Sequence, residues 1–185
     1  MKIILASKSP RRKELLSRIV RDFEIIVSDV DESVDEGVRP FDAVRILAER
    51  KGKAVADLNP EALVISSDTL VELSGVPLGK PESKEDAKRM LSSLSGRTHN
   101  VHTGVAVHYK GKMLSGVDSA AVSFKELTDS EIYDYIETGE PMDKAGAYAI
   151  QGIGRKFVEK YEGDFDTVMG LSVSLTEKLM KEITK

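Results

Sequence analysis

Apolar and polar positions follow one another along the first half of the chain in a pattern that predicts alternating strands and helices. Short apolar runs typical of buried strands lie at residues 2–6, 23–27 and 62–66. Residues 41–57 instead carry apolar side chains at helical spacing. Ser9 is a good helix N-cap and Pro10 suits the first helical position, so we expect a helix to begin near Pro10. The chain therefore starts in the order strand, helix, strand, helix.

The second half of the chain predicts longer strands and three further helices. Residues 101–109 and 113–124 are typical of two strands, and the turn signal at Lys110-Gly111 joins them into a long hairpin. The helix signals are an N-cap at Ser83, a capping box of Thr128 with Glu131, and an apolar periodicity over residues 172–183. A Gly-rich loop is expected at residues 144–154, with strands beyond it. These elements predict a mixed α/β fold with a long twisted sheet flanked by helices.

The length, composition and charge of the chain exclude several classes of protein. With 185 residues, the chain is long enough for one buried core and too short for two ordinary domains, so we expect a single domain over residues 1–185. No apolar run approaches the roughly 18 residues that span a bilayer, and we expect a cytoplasmic protein without a membrane partner. The absence of Cys excludes disulfides, thiolate catalysis and Cys-ligated zinc. A net charge of -4 argues against a nucleic-acid partner.

Four cations surround the predicted start of the first helix, at Lys8, Arg11, Arg12 and Lys13. A helix N-terminus already carries partial positive charge and free N–H groups, so these side chains add like charge to a positive end. A bound phosphate would resolve the conflict, because arginine forks and helix N-termini both bind anions. The alternative is that the basic side chains extend into solvent. The conflict between position and charge favours the anion site.

Acidic residues lie where two of the predicted strands end. Asp68 follows the apolar run 62–66, at the place where open α/β sheets hold ligands, and is a candidate catalytic carboxylate. A turn-forming Asp is the alternative, and the residues alone do not separate the two. Asp29, Asp31 and Glu32 form a second acidic group of the oxygen type that suits Mg²⁺ or Mn²⁺, although any one of them taken singly is more commonly a solvated surface acid.

Two lysines and three histidines are further candidates. Lys51 on the second helix and Lys80 in a Gly-Lys-Pro turn could each neutralise phosphate, or could each be a surface lysine. His102 and His108 share a face of the predicted strand but lie roughly 20 Å apart along it, so a shared metal is implausible. We expect these two, with His99, to occupy solvent-facing positions of the hairpin.

Six segments of the chain, in this order and spacing, resemble the Maf family. They are Leu-Ala-Ser-Lys-Ser-Pro-Arg-Arg at residues 5–12, Leu-Ala-Glu-Arg-Lys at 47–51, Ser-Asp-Thr at 67–69, Gly-Lys-Pro at 79–81, Leu-Ser-Gly-Arg-Thr-His at 94–99 and Asp-Lys-Ala-Gly-Ala-Tyr-Ala-Ile-Gln-Gly at 143–152. A Val-Met-Gly-Leu stretch at 168–171 completes the pattern, so the resemblance covers essentially the whole chain.

The resemblance implies the inosine triphosphatase-like (Maf/Ham1) fold and a nucleoside triphosphate pyrophosphatase that cuts between the α and β phosphates. It implies Asp68 as the proton acceptor. The other roles that it implies are substrate specificity for Arg11, Thr69 and Gln151, phosphate binding for Ser7, Arg12, Lys51 and Lys80, and a divalent metal, Mg²⁺ or Mn²⁺, near Glu32 and Asp68. A dimer is common among relatives of this fold, so the resemblance admits a homodimer.

The resemblance further implies a dTTP and UTP preference, extending to modified pyrimidine nucleotides. The family subgroup with Gln at position 151 is the dTTP and UTP group, and Gln151 is the only Gln of the chain. Its amide offers both a donor and an acceptor, which matches the N3–H and carbonyl edge of uracil or thymine. Two alternatives are a regulatory interaction protein of cell division, since the family is named for inhibition of septum formation, and a purine-type inosine triphosphatase.

Overall fold

The computed structural model describes residues Met1 to Lys185. The strands are β1 (Ile3–Leu5), β2 (Glu24–Ile25), β3 (Leu63–Leu73), β4 (Val76–Leu78), β5 (Thr98–Tyr109), β6 (Lys112–Phe124) and β7 (Val158–Glu162). The helices are α1 (Pro10–Ser17), α2 (Pro40–Ala56), α3 (Lys84–Leu94), α4 (Asp129–Glu137), α5 (Phe165–Met169) and α6 (Val173–Ile183). Short 3₁₀ turns lie at Glu140–Asp143, Ala145–Ala147 and Ile153–Phe157. No helix has the length and apolar character that crossing a membrane requires.

All seven strands belong to one sheet, in the order β2-β1-β3-β5-β6-β7, with β4 paired to β3 beside this path. β1 is parallel to both β2 and β3, whereas β3 and β4, like β6 and β7, are antiparallel. The mixed α/β fold with a long sheet and flanking helices is therefore confirmed. The β5–β6 hairpin is also confirmed, with the two-residue turn Lys110-Gly111 in left-handed backbone at both positions.

Most of the predicted helix starts are present, while two strand predictions need correction. Ser9, Ser83 and Thr128 cap helices as expected, and Thr128 forms the full capping box. The last helix is also present, and Ser172 caps it. The second strand, expected over residues 23–27, is reduced to two exposed residues. The third, expected over residues 62–66, continues to Leu73, which places the polar residues 67–69 inside a strand.

The first of two compact units comprises Met1–Thr69, Thr103–Asp118 and Gly170–Lys185. An apolar cluster forms part of its core, with side chains from β1, α2, β3 and the residues that adjoin the two strands, namely Ile4, Ala6, Val55, Ala62 and Val64. The Ser66 hydroxyl donates to the carbonyl of Ala48 at 2.7 Å, which fixes α2 against β3 at the level of the predicted site residues.

The second compact unit comprises Leu70–His102 and Ser119–Met169. α3 packs against α4, and a group of aromatic rings joins β6, α4, the Gly-rich loop and the turn that follows it. Phe124 lies at its centre, with ring centroids 4.7 Å from Tyr148 and 6.0 Å from Phe157, and Tyr135 meets Phe157 edge-on at 5.0 Å. The single domain over residues 1–185 stays a prediction.

Candidate active site

The four cations of the basic run lie in different environments at the N-terminal end of α1. Lys8 and Lys13 are exposed, in agreement with the solvent alternative for those two. Arg12 is half-buried, and burial lowers the pKa of its guanidinium below the ordinary value, with the nearby Asp68 carboxylate acting in the opposite direction. Arg11 is also half-buried, and its charge further lowers the pKa of Arg12. Two like charges thus lie together at a positive helix end, as the anion hypothesis requires.

The Arg12 guanidinium is held by oxygen atoms from three parts of the first unit. Its Nε donates to the carbonyl of Gly170 at 2.9 Å, and its two terminal nitrogens donate to the hydroxyls of Ser7 and Thr69, each at 3.4 Å. The Ser67 hydroxyl donates to the same Gly170 carbonyl at 2.8 Å, which helps to fix that acceptor. The structure therefore brings together Ser7, Arg12 and Thr69, three of the residues that the resemblance singles out. The two long hydroxyl contacts are weak and could be exchanged for a stronger acceptor.

Asp68 and Lys51 form the second half of this group. The Lys51 Nζ lies 2.5 Å from Asp68 Oδ1 and 3.1 Å from Glu32 Oε1. The Lys51 and Asp68 side chains are only 13% and 10% exposed, whereas that of Glu32 is 62% exposed. Asp68 lies in β3 beyond Ile65, the last β3 residue that pairs with β1, and not in a turn as the alternative supposed. A buried carboxylate is thus held at one oxygen, while its Oδ2 accepts no hydrogen bond within the protein.

The residues suggested for a divalent metal are a pair of carboxylates and not a complete cage. No group of three or more His, Asp or Glu side chains is arranged to hold a metal ion. Mg²⁺, however, is commonly bound by one or two carboxylates together with water and substrate phosphates. Asp68 and Glu32 already share one cation, the ammonium of Lys51. Their donor type and their common approach to a positive charge fit such a metal.

The second unit holds the two remaining predicted residues. Lys80 follows β4 and is exposed, and Gln151 lies in the Gly-rich loop and is exposed as well. Neither side chain forms a hydrogen bond or ion pair within the protein. The loops that carry them are joined, because the N–H of Gly146 donates to the carbonyl of Gly79 at 3.0 Å. Both side chains are therefore available to a ligand, while the backbone beneath them is fixed.

The three histidines are buried, so their predicted solvent-facing placement is wrong. His99 Nε2 lies 2.8 Å from the Tyr148 hydroxyl, and burial lowers the pKa of His99 to about 4. His102 lies between the Ser119 hydroxyl and the Glu72 carboxylate, at 2.7 and 2.8 Å. Other parts of the protein cover the strand faces on which these histidines lie. The alternation of residues in the sequence could not show this, because His occurs in both buried and exposed positions.

A family model of Maf-like proteins matches residues 2–183. The chain belongs to the Maf family. It is 48% identical over 181 residues to a dTTP/UTP pyrophosphatase of Geobacillus sp. (strain WCH70), covering 98% of this chain and 97% of the relative. It is 47% identical to a dTTP/UTP pyrophosphatase of Bacillus cereus (strain AH187), over 98% of this chain and 95% of the relative.

Two solved structures have a fold similar to that of this Maf chain. The Staphylococcus aureus Ham1 protein matches with a TM-score of 0.50 and 21% identity, covering 97% of this chain and 91% of that one. A HAM1 protein from Coxiella burnetii matches with a TM-score of 0.53 and 15% identity, covering 100% and 98%. At these identities the likeness concerns architecture alone, and it confirms the predicted Ham1-type fold.

Several residues that build the site in this Maf chain escaped sequence reasoning. Ser67 and Gly170 orient Arg12, and the Thr103 hydroxyl lies 2.9 Å from that of Thr69. Ser67 and Gly170 fall inside segments that carry the family resemblance, which was the available signal for them. Thr103 had none, because its role depends on strand pairing across the sheet. A further residue without a sequence signal is Glu140, which accepts hydrogen bonds from the N–H groups of Ile153 and Gly154 in the Gly-rich loop.

Proposed function

We propose that this Maf-family chain is a nucleoside triphosphate pyrophosphatase that hydrolyses dTTP and UTP to the monophosphate and pyrophosphate. The observation that carries the proposal is the near full-length identity of 45 to 48% to relatives named dTTP/UTP pyrophosphatase. The residue arrangement supports it, since a half-buried arginine at a helix N-terminus and a buried carboxylate suit phosphate binding and proton transfer.

In this proposal Asp68 accepts the proton of the attacking water. One carboxylate oxygen is held by Lys51, and the other is available to the water. The water oxygen bonds to the α phosphorus, the bond from that phosphorus to the α–β bridging oxygen breaks, and pyrophosphate leaves with the bridging oxygen. Ser7, Arg12, Lys51 and Lys80 bind phosphate charge. The hydrogen bonds of Arg12 to Ser7 and Thr69 are weak, so phosphate oxygens can replace them with the smallest loss of free energy.

Asp68 and Glu32 would hold a divalent metal, Mg²⁺ or Mn²⁺. When bound, such an ion neutralises charge on the phosphates during hydrolysis. Arg11, Thr69 and Gln151 are assigned to substrate choice, and the exposed Gln151 amide can meet the donor and acceptor edge of a pyrimidine. A homodimer and a cytoplasmic location remain predictions, as does the lack of a nucleic-acid partner.

The test is pyrophosphate release from a panel of dTTP, UTP, CTP, ATP, GTP and ITP, with and without Mg²⁺ or Mn²⁺. We expect dTTP and UTP to give the highest kcat/KM, with dependence on the metal. Preference for ITP or GTP would support the purine-type alternative, and no hydrolysis of any triphosphate would leave the regulatory interaction protein as the better account.

A further inference from the structure

The backbone on both sides of Gln151 is tied to one acidic side chain, that of Glu140. Glu140 Oε1 accepts from the N–H of Ile153 at 3.0 Å, and Oε2 accepts from the N–H of Gly154 at 2.9 Å. Oε2 also accepts from the Tyr135 hydroxyl at 2.7 Å. The same hydroxyl accepts from the N–H of Ala149 at 3.2 Å. Residues before and after Gln151 therefore share one support.

Two glycines of this loop lie against Glu140 and Tyr135 with no space for a side chain between them. A Cβ built on Gly152 would lie 2.1 Å from Glu140 Oε1, and one on Gly154 would lie 2.6 Å from the Tyr135 hydroxyl. Tyr135 is itself fully buried, which fixes the position of its hydroxyl. The two glycines thus allow the loop backbone to come into direct contact with Glu140 and Tyr135. Gln151, between them, is exposed, and the backbone before and after it is hydrogen-bonded to Tyr135 and Glu140.

From these contacts we infer that Glu140 is a positioning residue for Gln151 and so sets the selectivity of the site for the pyrimidine base. This inference rests on the proposed function, because it gives Gln151 a base to recognise. A single carboxylate that satisfies three donors acts as the fixed point of the loop. An amide side chain can distinguish uracil from guanine only if its oxygen and nitrogen are held in register with the base edge.

The negative charge of Glu140 is essential to this role. Burial acts to raise the pKa of the Glu140 carboxyl, but the hydrogen bonds from Tyr135, Gly154 and Ile153 outweigh it and hold that pKa below the ordinary value. The carboxylate therefore stays ionised as an acceptor at neutral pH. A glutamine in its place would turn one oxygen into a donor, so one of the two backbone N–H groups would lose its acceptor in either amide orientation.

The experiment compares Glu140→Gln with the wild-type chain in nucleotide binding and in hydrolysis. We expect the Kd for UMP, measured by calorimetry, to rise about tenfold while the Kd for GMP changes less than twofold. The kcat/KM ratio of UTP to GTP should fall about tenfold, through KM for UTP more than through kcat. In a Gln151→Ala background, Glu140→Gln should leave the ratio unchanged, because the group that it positions is gone.

Glu131→Gln is the matched control. Glu131 lies near the start of α4 and accepts from the Thr128 N–H and from Lys125, so the same substitution costs comparable hydrogen bonds away from the loop. It should leave the UTP to GTP ratio within twofold of wild type. If Glu140→Gln does not fold, Tyr135→Phe removes one donor and the Ala149 contact and should lower the ratio about threefold.

An equal loss of binding and activity for pyrimidine and purine nucleotides in Glu140→Gln would overturn the inference, since it would show a merely structural role. So would a wild-type chain with no preference for UMP over GMP. A wild-type chain that prefers UMP but hydrolyses no triphosphate would instead contradict the proposed function. In that case the monophosphate Kd values alone decide whether Glu140 positions Gln151.

Discussion

The proposed functional residues of the first compact unit contact one another, whereas those of the second unit do not. In the first unit the functional side chains hold one another, with Lys51 on Asp68 and Glu32, and Arg12 on Ser7 and Thr69. In the second unit Lys80 and Gln151 are exposed and unpaired, and the organisation lies in the backbone beneath them. The first arrangement concentrates charge, whereas the second presents polar groups on a fixed loop.

This contrast predicts which substitutions should change the rate of hydrolysis and which should change the choice of nucleotide. Charged side chains that satisfy one another are already oriented, so removing one also leaves its partners unpaired. Changes in the first unit should therefore alter the rate for every nucleotide. Changes in the second should alter the choice among nucleotides, because an exposed amide contributes only what it contacts in the ligand.

Asp68→Asn should have the largest effect. The amide cannot accept a proton from water, so we expect kcat to fall roughly 10³-fold for all triphosphates, within the range for loss of a general base. Pyrophosphate release under saturating substrate measures it. Asp57→Asn is the control, because Asp57 is exposed and pairs only with Lys53 on the surface. Full activity of Asp68→Asn would show that Asp68 is not the proton acceptor.

Arg12→Lys should be next, with kcat/KM reduced about 100-fold for pyrimidine and purine triphosphates alike. A lysine keeps the charge but loses the fork that reaches Gly170, Ser7 and Thr69 in three directions. Loss of charge-assisted hydrogen bonds worth about 2.7 kcal/mol gives this factor. Lys13→Ala, on the exposed part of the same helix, should remain within twofold of wild type. Equal kinetics for Arg12→Lys and wild type would argue that charge alone matters there.

His99 allows the support of the second unit to be tested by pH. Burial holds the pKa of His99 near 4, while the unfolded chain protonates it near 6.5, so the unfolded state binds more protons as pH falls below 6.5. The free energy of unfolding should therefore drop by about 1.4 kcal/mol for each pH unit below 6.5, or about 2 kcal/mol by pH 5.

Urea unfolding of wild type and His99→Gln at pH 7.5 and pH 5 measures this contribution. Because the variant lacks the titrating ring, its disadvantage relative to wild type should shrink by about 2 kcal/mol at the lower pH. A stability difference that does not change with pH would mean that His99 binds its proton equally well in the folded and unfolded states.

Apolar periodicity and capping signals predicted the helices and strands well, because these signals depend on residues close together in the sequence. The starts of α1, α3, α4 and α6 each depend on a hydroxyl and a backbone N–H three residues apart. Asp68 was expected just past the strand at residues 62–66, with a turn as the alternative, but it lies within β3. Polar residues in a strand resemble a turn until the neighbouring strands are known. The burial of His99 and the hold of Glu140 on residues 153 and 154 depend on contacts between distant segments, and no local pattern records them.

Gln151→Glu should give the smallest change and the most selective one. The glutamate keeps the length of the side chain but offers acceptors only, so it loses the donor that meets a carbonyl of uracil or thymine. We expect the kcat/KM ratio of UTP to GTP to fall about tenfold, the loss of one hydrogen bond of about 1.4 kcal/mol. The added charge also repels phosphate and lowers kcat/KM for every triphosphate, so the ratio is the quantity that isolates base recognition.

Gln151→Ala removes the amide without adding charge and should lower the same ratio while leaving GTP hydrolysis nearly unchanged. If both variants kept the wild-type ratio, the choice of base would belong to Arg11 and Thr69, and the contrast between a charge-bearing first unit and a selective second unit would fail.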